Sequence, residues 1–254
     1  GGRFAPWVKD CPLTYLSNNA PQKVDVLGSL FLSILSGHNR YTHITTLISD
    51  SVNPALLGMK KVVSEDSARR AVKKIDEKSG IKWLLHHLLD CCEPLLQTPW
   101  ILDVDTTVKS LYGHQEDAVK GYNPQKPGRP SHTYHTYMMA NLRLILDVEV
   151  KPGDASHSSH SLPGLTTLLN RLPSNGKPEF VRGDIGWGTD TVMKQLEAIN
   201  QPYLVKLKRT KNVINLIYKH HGLGQWTSVH PSWEAKEDHL LLQGWETQRR
   251  VIIV

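Results

Sequence analysis

Cysteine is scarce in this chain. Only three occur in 254 residues: Cys11, Cys91 and Cys92. They make no Cys-x-x-Cys pair and no even set, which excludes a disulfide framework and fits a reducing cytoplasm. Long apolar runs are also missing. No stretch approaches the roughly 20 residues that span a bilayer, and no secretory leader pattern is visible. A membrane partner is therefore not expected. Acidic residues are in deficit, with 24 Asp and Glu against 30 Lys and Arg, giving a net charge of +6. That balance favours a polyanionic partner such as nucleic acid. Many soluble domains are mildly basic, so charge alone narrows the class without choosing within it. There is no internal repeat. The chain opens at Gly1 without an initiator Met and ends in the strand-like Val251-Ile252-Ile253-Val254, so it reads as part of a longer protein.

The most informative stretch is Leu102-Asp103-Val104-Asp105-Thr106-Thr107-Val108. Residues i and i+2 of a strand share a face, so Asp103 and Asp105 project together. Two like charges on a mostly buried strand are costly unless a cation or hydrogen-bond donors compensate them. A hard divalent ion is the usual compensator in phosphate chemistry. A second acid answers downstream, in Phe180-Val181-Arg182-Gly183-Asp184-Ile185-Gly186-Trp187-Gly188. It reads as a strand ending in Asp184, followed by a glycine-rich turn. Two acidic strand ends point to metal-dependent phosphoryl transfer. Taken alone, Asp184 is a turn aspartate before glycines.

The first 97 residues read as helical. Val24, Val26, Leu27, Leu30, Phe31, Ile34 and Leu35 recur at helical spacing, and Gly37 closes the run. Ile44, Leu47 and Ile48 continue on a short helix, which Asn53-Pro54 breaks. Ser64 is placed as an N-cap, with Glu65 and Asp66 in the first turn. The helix behind it carries Arg69, Arg70, Lys73 and Lys74, spaced i,i+4. A further helix, Ile81 to Leu89, is strongly apolar. Two readings stay open: a helix-turn-helix-like DNA-binding region over residues 1–97, or a small bundle whose charged face is merely solvated.

From Pro99 the texture changes. Trp100 to Val108 reads as a strand, Leu111 to Pro130 as an extended loop, and His132 to Ala140 and Leu142 to Val150 as strands joined near Asn141. A helix (Leu162 to Leu172), a strand (Phe180 to Asp184), a helix (Thr189 to Ile199) and a strand (Pro202 to Lys208) follow. Three strands, then helix, strand, helix, strand, is the order of an RNase H-like core. The expected fold is therefore α/β. A helical region (1–97) precedes the first part of a mixed-sheet core (98–211). The start of a β-rich insertion (212–254) follows, with strands at Trp226–Val229, His239–Leu242 and Arg249–Val254.

At this point a resemblance becomes specific. The Asp105-Thr106-Thr107 strand end resembles the start of the catalytic site in DDE transposases of bacterial insertion sequences. Leu111-Tyr112-Gly113-His114-Gln115-Glu116, Lys120-Gly121-Tyr122-Asn123-Pro124 and Gly128-Arg129-Pro130-Ser131-His132-Thr133-Tyr134-His135 are similar to the segment that follows that strand in one subfamily. Val181-Arg182-Gly183-Asp184 resembles the family's second acid. The similarity covers most of the chain, with the segments in order.

The resemblance implies cut-and-paste DNA transposition on an RNase H-like core, with Mg²⁺ or Mn²⁺ as cofactor. Asp105 would be the first catalytic acid and metal ligand, and Asp184 the second. Asp103 would stand behind them or be the true ligand. Double-stranded DNA, both transposon ends and target, is the implied partner, with a homodimer in a synaptic complex. The implied location is the bacterial cytoplasm, on nucleoid DNA. Lys206, Lys208, Arg209 and Lys211, beyond the fifth core strand, are candidate phosphate contacts, and otherwise an ordinary solvated basic stretch. Arg69, Arg70, Lys73 and Lys74 join them as DNA-binding candidates.

The family's third acid is a glutamate on a helix after a β-rich insertion. No such helix is read here, so the third acid is expected beyond Val254, with cleavage expected of the full-length parent and not of these 254 residues. Glu246 imitates that glutamate, but its neighbours run into a strand. His132-x-x-His135 and His157-x-x-His160 have ligand-like spacing, yet no cysteine or further acid stands near them in sequence. Trp187 fits either packing or stacking on DNA. Two rivals remain. Asp103-Val104-Asp105-Thr106-Thr107 also resembles the nucleophile motif of haloacid-dehalogenase-type phosphatases, with Asp103 as nucleophile and Asp105 as acid/base. Against that, about a hundred residues precede the motif. The other rival is a non-catalytic, DNA-binding transposase remnant.

Overall fold

The computed structural model describes residues 2–97, 99–155 and 157–254. It divides into two compact units, Gly1–Pro94 and Leu95–Val254. The expected boundary at 97/98 falls partly on residue 98, outside the described residues. Among the described residues no helix is long and apolar enough to cross a membrane.

The first unit is helical: α1 (Phe4–Asp10), α2 (Lys23–Leu35), a 3-10 turn at Tyr41–Leu47, α3 (Val52–Leu56), α4 (Glu65–Val72) and α5 (Glu77–Cys92). Leu13, Val26, Leu27, Ile44, Val63, Ala68, Ala71 and Trp83 form its core. Trp7 stacks on Trp83 at 4.9 Å between centroids, and Trp83 Nε1 donates to the Trp7 carbonyl at 2.8 Å. Two buried polar residues of α2 anchor the segment before α4. Asp25 accepts from the Lys60 amide at 2.8 Å, and Ser29 Oγ accepts from the Val63 amide at 2.9 Å. Ser64 does cap α4, accepting from the Ser67 amide. Asp76 caps α5 in the same way, so that helix starts earlier than its apolar run. Asn53-Pro54 does not break a helix. It lies inside α3, where Pro54 occupies the first turn and needs no amide partner.

The second unit is built on one mixed sheet. Its strands are β1 (Ile101–Ser110), β2 (Val119–Lys120), β3 (Pro130–Met139), β4 (Leu144–Pro152), β5 (Phe180–Gly183) and β6 (Tyr203–Val205). Strand β3 pairs antiparallel with β1 on one side and with β4 and short β2 on the other. Strand β5 lies parallel to β1, and β6 parallel to β5. The order β4-β3-β1-β5-β6 is that of an RNase H-like core. Parallel neighbours need long crossovers, here α6 (His157–Arg171) and α7 (Asp190–Ala198).

Alternation divides β1 cleanly. Leu102 and Val104 are buried, as are Tyr137, Met139 and Val181 on the neighbouring strands, Leu165, Leu168 and Leu169 of α6 and Val192, Met193 and Leu196 of α7. Asp103, Asp105 and Thr107 take the other face.

The stretch from Asn212, expected to be β-rich, opens instead with α8 (Lys211–His221). Val213, Leu216, Ile217 and His220 recur at helical spacing there, and Gly222 follows the helix. A small antiparallel sheet comes after it: β7 (Thr227–His230), β8 (Trp233–Leu240) and β9 (Arg249–Ile253). Buried Arg249 ties this sheet to α7 through Glu197 at 2.6 and 3.0 Å and Asp190 at 2.7 Å.

Candidate active site

The pairing of β1 with β5 places the acids. Its register runs Leu102–Val181, Asp103–Arg182 and Val104–Gly183. One residue further, Asp105 and Asp184 stand at adjacent strand ends, where neighbouring strands lie about 4.8 Å apart. The backbone at Asp184 stays extended, so Asp184 follows Arg182 on the face that carries Asp103 and Asp105. Both carboxylates are exposed.

Asp184 caps the following 3-10 turn (Ile185–Trp187), accepting from the Gly186 amide at 2.9 Å through one oxygen. Trp187 beneath it is fully buried, which settles it as packing rather than a stacking surface. Gly183 is required there. A Cβ on it would stand 2.7 Å from the Trp187 Cβ. Asp105 has a different setting: its carbonyl accepts from Thr136 Oγ1, while its carboxylate has no partner among the described residues.

Asp103 is not available in the same way. Arg182 forks onto it, with Nε to Oδ1 at 2.6 Å and the second nitrogen to Oδ2 at 2.7 Å. The cation that compensates Asp103 is therefore a protein side chain from the neighbouring strand. The carboxylate in turn holds the Arg182 guanidinium above its ordinary pKa. Arg182 carries a role that the motif around Asp184 does not by itself assign. Its spacing was the signal, since it stands two residues before Asp184 and so shares its face.

The basic candidates fall into two sets. The Lys206 amide donates to the Gly183 carbonyl at 3.3 Å, so Lys206 continues the row of Asp105 and Asp184 on a third strand end. Strand β6 stops at Val205, which leaves Lys206, Lys208 and Arg209 in an exposed connection, and Lys211 opens α8. In the helical unit all four cations are exposed. Arg69 is paired with Asp66, and Arg70 Nε donates to the Asp66 carbonyl at 3.2 Å. Lys73 and Lys74 lie past the end of α4, so the expected four-cation helix is two residues shorter than its pattern.

The histidine pair on β3 does not converge. Positions three apart on a strand face opposite ways. His135 is fully buried, with Thr133 Oγ1 at 3.0 Å and Ser161 Oγ as partners, while His132 bonds the Glu116 carbonyl at 2.7 Å. The side chain of His157 lies outside the described residues. Glu246 is ion-paired with Lys194 at 2.6 Å. Among the described residues no group of three His, Cys, Asp or Glu side chains is placed to hold a metal ion.

A family model described as "Transposase DDE domain group 1" matches residues 19–254. A solved piggyBac transposase synaptic complex with hairpin DNA is 12% identical, with a TM-score of 0.46 over 80% of this chain and 47% of that one. A Mos1 transposase paired-end complex with left transposon end is 14% identical, with a TM-score of 0.28 over 75% of this chain and 61% of that one. A Mos1 mariner paired end complex with Mn is 12% identical, with a TM-score of 0.28 over 82% and 68%. The chain thus spans about half the length of the piggyBac protein it matches, 47%. No curated protein matches.

Proposed function

The chain belongs to the transposase DDE domain group 1 family, and from that premise we propose that the protein cuts and rejoins DNA strands by metal-dependent phosphoryl transfer at insertion-sequence ends. The observation that carries this reading is the pair of exposed acids, Asp105 and Asp184, on adjacent strand ends of one sheet face.

The donor set fits a hard divalent ion. Carboxylate oxygens suit Mg²⁺ or Mn²⁺, and among the described residues no side chain or amide occupies the Asp105 carboxylate or the second oxygen of Asp184. Asp105 and Asp184 would hold the metal, which would supply Lewis-acid charge for activating the attacking oxygen and stabilising the leaving one. The chain's own contribution is placement. Arg182 fixes Asp103, Trp187 and Gly186 fix the turn at Asp184, and Lys206 to Lys211 offer positive charge to the DNA backbone beside the acids. The helical unit's Arg69, Arg70, Lys73 and Lys74 supply a further contact to duplex DNA. Two copies pairing two DNA ends is the assembly that the family resemblance implies.

The phosphatase alternative requires Asp103 as a free nucleophile, and Arg182 occupies both of its oxygens. The test is mutational. Made in the full-length protein, Asp105→Asn and Asp184→Asn should each abolish DNA cleavage in Mg²⁺ or Mn²⁺ while sparing DNA binding. Cleavage retained by either variant sinks the two-acid site. Hydrolysis of a small phosphomonoester that depends on Asp103 would instead establish the phosphatase.

A further inference from the structure

Residues 111–129 connect β1 to β3 and have no role in the site described so far. They form a built surface. Asn123 is buried, with Nδ2 donating to Ser110 Oγ at 2.9 Å and Oδ1 accepting from the Lys126 amide at 3.0 Å. The Leu111 amide donates to the Pro130 carbonyl at 2.9 Å. Gly121 rests against the chain at Gly153, where a Cβ would stand 2.0 Å from the carbonyl oxygen. Gly128 turns at a φ of +75°.

On that frame Tyr112 stands 67% exposed. Lys126 Nζ lies 4.8 Å from the ring centroid and the Arg129 guanidinium carbon 4.5 Å from it. Lys126 also donates to the Tyr112 hydroxyl. Among the described residues neither cation is ion-paired with a carboxylate, so two positive heads crowd one ring without an anion. Like charges held together repel. At an exposed site a cation–π contact returns little against that repulsion. A phosphate oxygen is the natural third party, because lysine and arginine both donate to it through strong charge-assisted bonds. The same cations pull the Tyr112 phenol below its ordinary pKa, chiefly through the Lys126 bond.

We propose that Tyr112, Lys126 and Arg129 form a phosphate-binding site for the backbone of duplex DNA, away from the reacting bond. The proposal rests on the DNA-transferring function above. From Asp105 to Ser110 the strand advances about 3.3 Å per residue, roughly 17 Å in all. At about 3.4 Å per base step that is roughly five steps along a strand. The bound phosphate is therefore a flanking one, and the contact sets where the DNA lies against the acids rather than taking part in the chemistry.

The experiment measures the affinity of a random-sequence DNA duplex against salt concentration. In the Lys126→Ala/Arg129→Ala double variant, affinity should fall and the log–log salt slope should flatten by about 0.9, the value for one phosphate no longer neutralised. Tyr112→Ala keeps both charges but frees their heads, so affinity should fall severalfold with the slope nearly native. All three side chains are exposed, and an unchanged melting temperature will show that each variant is folded. Native affinity and slope in the double variant would overturn the proposal and leave the two-acid reading intact. Cleavage by the full-length protein carrying Asp105→Asn would sink that reading without touching the loop. A native chain stabilised by inorganic phosphate through Lys126 and Arg129, with no change in the DNA slope, would make this a small-anion site and also overturn the proposal.

Discussion

In the helical unit, charges find partners mostly close in sequence, His87 at 3.1 Å from Asp10 being the remote exception among the described residues. Arg69 pairs with Asp66 three residues away, and His86 stands 3.7 Å from Asp90 four residues away. In the sheet unit the strong pairs are remote. Arg182 reaches Asp103 across 79 residues, and Arg249 reaches Glu197 and Asp190 across 52 and 59. A local pair forms whenever its helix forms, and it can be lost at little cost. A remote pair exists only when two strands meet in one register, so it reports on the fold and can lock it. The proposed chemistry lies with the remote kind. Asp105 and Asp184 become neighbours because β1 and β5 are parallel and in phase.

The sharpest way to separate the two regions is to remove one charge at a time. In the full-length protein, Asp105→Asn or Asp184→Asn should lower DNA cleavage by at least about 10²–10³-fold, the scale for losing a group that stabilises transition-state charge. Melting temperature should barely move, since both side chains are exposed. Alanine at Arg69, Arg70, Lys73 and Lys74 should instead weaken binding and flatten its salt dependence, with cleavage restored at saturating DNA. An unchanged salt slope would make that face merely solvated.

A stability comparison comes next. Arg249 is buried and holds two carboxylates, so Arg249→Leu should cost roughly 2–3 kcal/mol in chemical denaturation. Arg69→Ala, removing an exposed pair, should change stability by less than about 1 kcal/mol. Equal effects would erase the distinction between remote and local pairs.

Acid should probe the small sheet. His220 on α8 bonds Asp238 on β8 at 2.5 Å and holds that carboxyl well below its ordinary range, helped by the His239 amide. Because the folded pKa is depressed, the contribution is complete above the unfolded value of about 3.9 and is lost as pH falls through the folded one. Asp238→Asn should therefore lower the melting temperature at neutral pH, with the difference shrinking in strong acid.

The smallest effect is expected at Asp147, whose carboxyl is buried on β4 and pushed up by desolvation. Its proton-linked stability is full below about 3.9 and declines as pH rises through the raised folded value. Asp147→Asn should raise the melting temperature slightly at pH 7 and lose that gain in acid. A lower melting temperature at pH 7 would show that Arg171 and Lys151 outweigh the burial.

Periodicity and capping in the sequence determined much of the architecture. The apolar spacing of Val26, Leu27 and Leu30 marked α2, Ser64 marked the start of α4, and the order of strands and helices marked the RNase H-like sheet. These signals are local: a cap acts within a turn, and alternation acts within a strand. The same alternation put Asp103 and Asp105 on one face, but it could not say what faced them. Only the register of β1 against β5 decided that Arg182 takes Asp103 and leaves Asp105 beside Asp184. Only packing decided that Trp187 lies under Gly183 and that Lys126 and Arg129 gather on Tyr112. Each of these rests on residues brought together by tertiary contacts, whose energies depend on geometry that spacing along the chain does not carry.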